Sequence, residues 1–270
     1  MSISFHVNFP LDCSVLSRAL HAYAVKSPTS LSQEMSAFGV GNRKVPAYKG
    51  WLKHTGLWIP KSGVTPFGQL VLDRDPSIGD LGTRWIIHYH LSRRGGSEDA
   101  ELWHWLINSF LPIYDEFDEV QLLQAANQSN IKCDNLKILQ SYLRILLKSY
   151  IQPMAFGPLG ILERLDEGQY RIGIQRPVHH LLVGYLIFQE REDKYPGTTT
   201  ISVSDLLRAD GNAGKTFLMN RTNLEENLRA LRSDGYIGIM QFADHDHAQF
   251  LFSGSPLALL KQYYDNSQGK

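Results

Sequence analysis

Apolar and polar residues alternate at the start of the chain. Ile3, Phe5, Val7 and Phe9 are separated by Ser4, His6 and Asn8, which predicts a short half-buried strand ended by Pro10. Leu16 to Val25 predicts a first helix. From Thr29 to Trp58 the rhythm becomes that of a helix-turn-helix. Thr29 and Ser30 offer an N-cap, Gly39-Val40-Gly41 makes the turn, and Asn42 caps a second helix with Val45, Tyr48 and Leu52 on one stripe. Gly56 closes that helix, and Leu57-Trp58-Ile59 and Gly63-Val64-Thr65 follow as strands of a wing. Under this start Pro46 falls at the limit of the first turn, and a one-residue shift of the helix start relieves it.

The middle of the chain is helical and aromatic. Helices are predicted over Thr83–Ser92 and Asp99–Phe110, with Trp85, Trp103 and Trp105 as the hydrophobic centre of this half. The acidic run Asp115 to Glu119 suits the opening of a helix through the macrodipole. Leu136, Leu139, Leu143, Leu146 and Leu147 mark an amphipathic helix that stops before Pro153. Two domains are expected, 1–150 and 151–270. The second carries a hairpin (Gly160–Leu165, Tyr170–Ile174), a buried helix from His179 to Gln189, and a second winged unit. In that unit Ser202-Val203-Ser204-Asp205 and Thr222-Asn223-Leu224-Glu225 resemble capping boxes. Leu224, Leu228 and Leu231 line the helix from Asn223, and strands Tyr236–Phe242 and Ala248–Phe252 form the wing. The fold class is therefore mainly α with small β-hairpins (α+β), two winged helix-turn-helix-like units joined by a helical middle region.

Composition narrows the function classes. Hydrophobic residues make up 43% and charged residues 20%, so the chain is globular rather than disordered. Lys+Arg and Asp+Glu both number 27, and a nucleic-acid case must rest on local patches. Two cysteines, Cys13 and Cys133, exclude a disulfide scaffold or a Cys-based zinc site. The first residues lack a signal-peptide pattern and no apolar run reaches membrane length, so a soluble cytoplasmic protein without a membrane partner is expected.

Local patches do point to DNA. The first unit offers Asn42, Arg43, Lys44, Lys49 and Lys53 against the single acid Glu34; the second offers Lys215, Arg221, Asn223 and Arg229, diluted by Glu225 and Glu226. The first is the better DNA reader, although winged folds also serve as protein-docking modules. Gly214-Lys215-Thr216 ends like a P-loop, but its first glycine would fall at Ala209 and the segment follows a helix, so no nucleotide site is predicted. Asp73, Asp75, Asp80, His88 and His90 form the one candidate catalytic cluster, carboxylates for Mg²⁺ or Mn²⁺ and a histidine to activate water. His88 and His90 share a site only if that segment is extended, because residues two apart on a helix diverge. Asp244-His245-Asp246-His247 is a polar wing-tip turn with a capacity for metal.

One stretch resembles a known family. Gly63-Val64-Thr65-Pro66-Phe67-Gly68, Asp75-Pro76, Asp80-Leu81-Gly82-Thr83 and Trp85-Ile86-Ile87-His88, running into Trp103-His104-Trp105, are similar to the bacterial family called domain of unknown function four thousand and seven. The resemblance extends through Asn135–Tyr150 and Asn223–Leu231. It implies a place in DNA phosphorothioation (sulfur-modification) antiphage defence, beside a cysteine desulfurase, a reductase-like sulfur-transfer enzyme and an ATPase. It further implies the DNA-nicking component of the single-stranded system. The alternatives are a non-catalytic DNA-binding adaptor that recruits those enzymes, and a transcriptional regulator.

Overall fold

In a computed structural model the described residues are 4–93, 100–129, 131, 133, 135–166, 168–242 and 245–268; of Phe242, His245 and Gln268 only the backbone is described. Contacts divide the chain into Met1–Arg176 and Pro177–Lys270. The dividing point lies beyond the expected 150 because the hairpin β4 (Leu162–Arg164) and β5 (Gln169–Ile172) joins β3 (Glu116–Asp118) in one antiparallel sheet of order β3-β5-β4. Phe117 pairs with Tyr170, which stitches residues after Pro153 to the first unit.

The first unit begins with three helices and a short hairpin. Helix α1 (Cys13–Val25) is capped by Asp12, whose carboxylate accepts from the Ser14 and Val15 amides. Helix α2 (Leu31–Phe38) is capped by Ser30, and α3 spans Lys44–His54. The strands β1 (Trp58–Ile59) and β2 (Gly63–Val64) pair antiparallel. The N-cap of α3 is Arg43, not Asn42, so Pro46 stands third in the helix. There an amide has no intrahelical acceptor in any case, and the proline costs no bond. Helix α4 (Pro66–Arg74), unforeseen from the periodicity, is capped by Thr65, and α5 (Leu81–Ser92) by Asp80.

Two local expectations are corrected. Residues 4–8 form turns, not a strand: the Val7 amide donates to the Ser4 carbonyl and the Phe9 amide to that of His6. Ile3 lies outside the described residues. The acidic run opens as β3, and α7 (Glu119–Gln128) begins only after Asp118, which forms a capping box with Gln121. Helix α6 (Glu101–Trp105) continues as a π-helical turn, Leu106–Phe110; Asp99, its expected start, is outside the described residues. Helix α8 (Leu136–Ile151) buries Leu139, Leu143, Leu146 and Leu147 of the expected stripe, while Leu136 at its start is exposed.

The core of this unit titrates at high pH. Burial, partly offset by the charge of Arg84, pushes the Cys13 thiol from 9.0 up to about 12, and burial also raises the Tyr48 and Tyr150 phenols. The folded state therefore holds protons that the unfolded chain releases first. This stability is whole below about pH 9 and is lost as the pH rises through the folded values. Melting temperature is expected to fall steeply from pH 9 to 11, and Cys13→Ala to fall less; equal slopes for both proteins would contradict the assignment.

The second unit contains α9 (His180–Lys194), β6 (Thr200–Ser202), α10 (Val203–Arg208), α11 (Ala213–Thr216), α12 (Arg221–Ser233), β7 (Ile237–Phe242), β8 (His245–Phe250) and α13 (Pro256–Gln268). Its sheet has the order β6-β8-β7. Helix α12 starts two residues earlier than expected. Asn220 is its cap and accepts from the Asn223 amide, so Thr222 is helical and caps nothing. Leu224, Leu228 and Leu231 are buried, as their spacing requires. The chain is thus mainly helical with small antiparallel sheets.

Candidate nucleic-acid interface

Helix α3 presents its cations unevenly. Val45, Ala47, Tyr48, Trp51 and Leu52 are buried against the unit. Asn42, Arg43, Lys44 and Lys53 are exposed and Lys49 is half-buried. Lys49 Nζ lies 2.9 Å from Glu34 Oε1, and the same oxygen accepts from the Tyr23 hydroxyl at 2.7 Å. Glu34 is buried, so a single carboxylate ties α1, α2 and α3 together and cancels one of the cations counted on α3. It also raises the Tyr23 phenol, after burial itself. Lys44 Nζ sits 5.6 Å over the Phe9 ring, a cation–π contact, and Asn42 Oδ1 accepts from the Arg43 amide at 2.7 Å. Arg43 at the helix start and Lys53 near its end are exposed.

The second unit's cations are more heavily engaged. Lys215 pairs with Asp210 at 2.7 Å and Arg221 with Glu225 at 2.6 Å, while Asn223 and Arg229 are exposed. Residue types alone did not single out Arg208 and Arg232, both exposed here. A cavity of about 450 Å³ between α10, the start of α12 and β8 is lined by Arg208 and Arg221, but also by Asp205 and Asp246. Opposed signs there dilute any attraction for a polyanion. The Gly-Lys-Thr segment is the short helix α11, following α10. A Cβ on Gly214 would meet the Leu207 carbonyl oxygen at 2.2 Å, so this glycine serves close backbone packing.

The five catalytic candidates have other work. Asp75 is buried; Oδ1 accepts from the Gly79 amide at 2.9 Å and Oδ2 from the Asp80 amide at 3.0 Å. Asp80 in turn caps α5 through the Gly82 and Thr83 amides. Asp73 is exposed and accepts from Gln69 one turn earlier. His88 is fully buried, its Nδ1 3.1 Å from the Tyr150 hydroxyl, amid the rings of Trp85, Tyr150 and Phe156. His90 stacks on Phe67 at 5.2 Å. The structure brings Asp75 and Asp80 together as consecutive turn and helix caps, and α5 being helical, His88 and His90 diverge. Among the described residues no three His, Cys, Asp or Glu side chains are grouped to hold a metal. These five do not fit a Mg²⁺ or Mn²⁺ site, which needs several oxygens facing one point. In the β7–β8 segment, Asp244 lies outside the described residues, while Asp246 and His247 belong to β8 and so face opposite sides of it.

Capping gives Asp75 a measurable signature. Asp75→Ala orphans two amides in a part-buried turn and is expected to cost about 1–2 kcal/mol, read as a lower midpoint in urea. An unchanged midpoint would return this carboxylate to the list of functional candidates.

The family described as "Protein of unknown function (DUF4007)" matches residues 4–264. The chain belongs to this family. No curated protein matches it. Among solved structures, magnesium ion-bound SspB is similar at a TM-score of 0.81 and 18% identity, covering 100% of this chain and 89% of that one. A second SspB crystal structure has a TM-score of 0.78 with the same identity and coverage. The agreement is one of fold. In this DUF4007 chain the stretch that carries the family resemblance, Thr65 to Leu91, is mostly architecture. Thr65 accepts from the Gly68 amide and donates to the Gly56 carbonyl, Pro66 opens α4, and Asp75 and Asp80 cap. Among the described residues no helix is long and apolar enough to cross a membrane.

Proposed function

We propose that this DUF4007 protein binds duplex DNA through the α1–α3 and β1–β2 unit, used as a winged helix-turn-helix, and acts as the DNA-engaging adaptor of a phosphorothioation system. One observation carries the reading: a third helix, followed by a hairpin, that exposes Arg43 at its amino end and Lys53 a few turns on. Family membership and the fold shared with SspB support the system context. The β6-β8-β7 sheet with α10–α12 has the order of a second winged unit and supplies a weaker contact through Arg221, Asn223 and Arg229. The partners proposed are DNA, the reductase-like sulfur-transfer enzyme, the ATPase and the cysteine desulfurase, in the cytoplasm.

A mobility-shift assay tests it. The purified chain should retard duplex DNA, with affinity falling steeply with salt as phosphate contacts release counterions, about 0.9 in log–log slope per contact. The reductase-like partner should co-purify. No retardation at 50 mM salt sinks the reading.

A second reading, metal-dependent nicking, is favoured by the magnesium-bound state of one SspB structure. It predicts conversion of supercoiled plasmid to open circles with Mg²⁺ or Mn²⁺. Its residues must lie outside Asp73, Asp75, Asp80, His88 and His90 as arranged.

A further inference from the structure

The amino-terminal turn is packed on the flank of α3. The Phe5 ring meets Trp51 at 4.9 Å, His54 at 4.4 Å and Trp103 at 5.3 Å. The Trp51 indole donates to the Phe9 carbonyl at 3.1 Å and the Tyr48 hydroxyl to that of Pro10 at 3.4 Å. At the centre the two backbones touch: a Cβ on Gly50 would lie 2.3 Å from the Phe5 carbonyl oxygen. Glycine is what allows this approach. The turn is also held in an unfavourable form, because β-branched Val7 has φ 44° and Asn8 φ 65°. Such strain persists only where surrounding contacts over-determine it.

This has a consequence for width. An α-helix with its side chains is about 10–12 Å across, and the B-DNA major groove is about 12 Å wide. A second backbone lying against the helix adds about 5 Å, the spacing of adjacent chains in a sheet. Helix and turn together exceed the groove. The exposed stripe left on α3 is narrow as well. It runs between the Lys49–Glu34 pair on one side and the Gly50 contact on the other, and carries Pro46 and Lys53. A proline supplies no donor or acceptor for a base edge, whereas the outward Arg43 and Lys53 suit phosphates.

We infer that the amino-terminal turn, packed backbone-to-backbone on Gly50, keeps α3 off the floor of the major groove, so that this unit grips duplex DNA of any sequence through its phosphates. The inference rests on the DNA-binding reading above and narrows its substrate class.

The test uses the full chain on several unrelated duplexes, with dimethyl sulfate protection reporting guanine N7 on the groove floor and ethylation interference reporting phosphates. A single misread base pair usually costs tenfold or more in a base-reading protein. Affinities here are expected to agree within about threefold. Phosphate ethylation should interfere and N7 should stay reactive. A preferred sequence bound at least about tenfold tighter, with N7 protection that disappears in Arg43→Glu, would overturn the inference while leaving DNA binding intact. Failure to bind any duplex would overturn both.

Discussion

Replacing Arg43 and Lys53 together by glutamate is expected to weaken duplex binding about 100-fold at 100 mM salt, because each charge-assisted phosphate contact contributes about 1.5 kcal/mol and its reversal adds repulsion. Both side chains are exposed, so the fold should be untouched and the melting temperature nearly constant. The log–log salt slope should fall by about two, one for each lost contact. Lys49→Ala makes the internal comparison. Its ammonium already faces Glu34 at 2.9 Å, so its removal should weaken binding only a few-fold and should cost stability instead. Glu34→Gln should act in the opposite sense, releasing Lys49 and tightening binding a few-fold at low salt. Fluorescence anisotropy with a labelled duplex separates these outcomes. An unchanged affinity in the Arg43, Lys53 double variant would move the DNA surface elsewhere, most simply to Arg208, Arg221 and Arg229 of the second unit.

Lys49 shows what the sequence can and cannot disclose. Helical spacing put Val45, Tyr48 and Leu52 on one stripe of α3, and all three are buried. The partner of Lys49 is fifteen positions back, on another helix, and no local rule reports it. The elements legible in advance were those set by short-range chemistry: Ser30 and Gly39 bounding α2, the leucine stripe of α8, and the buried triad of α12. Elements decided by distant partners were read differently. Alternation over residues 3–9 suggested a strand, but the described part finds an aromatic nest rather than a neighbouring strand, and turns inward. The run Asp115 to Glu119 suggested a helix start, but Phe117 is drawn into pairing with Tyr170, more than fifty residues on.

The candidate catalytic set illustrates a different limit. Aspartates before helices are typical caps, and Asp80 stands immediately before α5, so its capping role was available from position alone; Asp75 lies earlier, at the end of α4, and its role in the turn was not. The histidines gave no such warning: burial of His88 against Tyr150 depends on α8 packing across α5, which residue types do not reveal.

Trp51→Ala is expected to be the most damaging single exchange in the first unit, at about 3–5 kcal/mol, the range for emptying a buried tryptophan site. Its side chain is fully buried and joins three things at once: the core face of α3, the ring of Trp103 at 5.4 Å, and the amino-terminal turn through Phe5 and the Phe9 carbonyl. Against a typical total of about 5–15 kcal/mol this removes a large share. For a unit of this size each kcal/mol moves the midpoint by about 2–4 °C, so a fall of roughly 10 °C is expected in calorimetry. Trp51→Phe keeps most of the volume and loses the indole donor, leaving the Phe9 carbonyl to water or nothing. It should cost about 1–2 kcal/mol and make residues 4–9 more open to protease than in the parent protein. If Trp51→Phe instead melts as the parent does and its amino terminus is equally resistant, the turn is held without the indole hydrogen bond, through the Phe5 and Gly50 packing and the Tyr48 contact to Pro10. If Trp51→Ala shifts the midpoint by less than 2 °C, α3 is not anchored through this ring, and its presentation to DNA must depend on the Glu34 link between α1, α2 and α3.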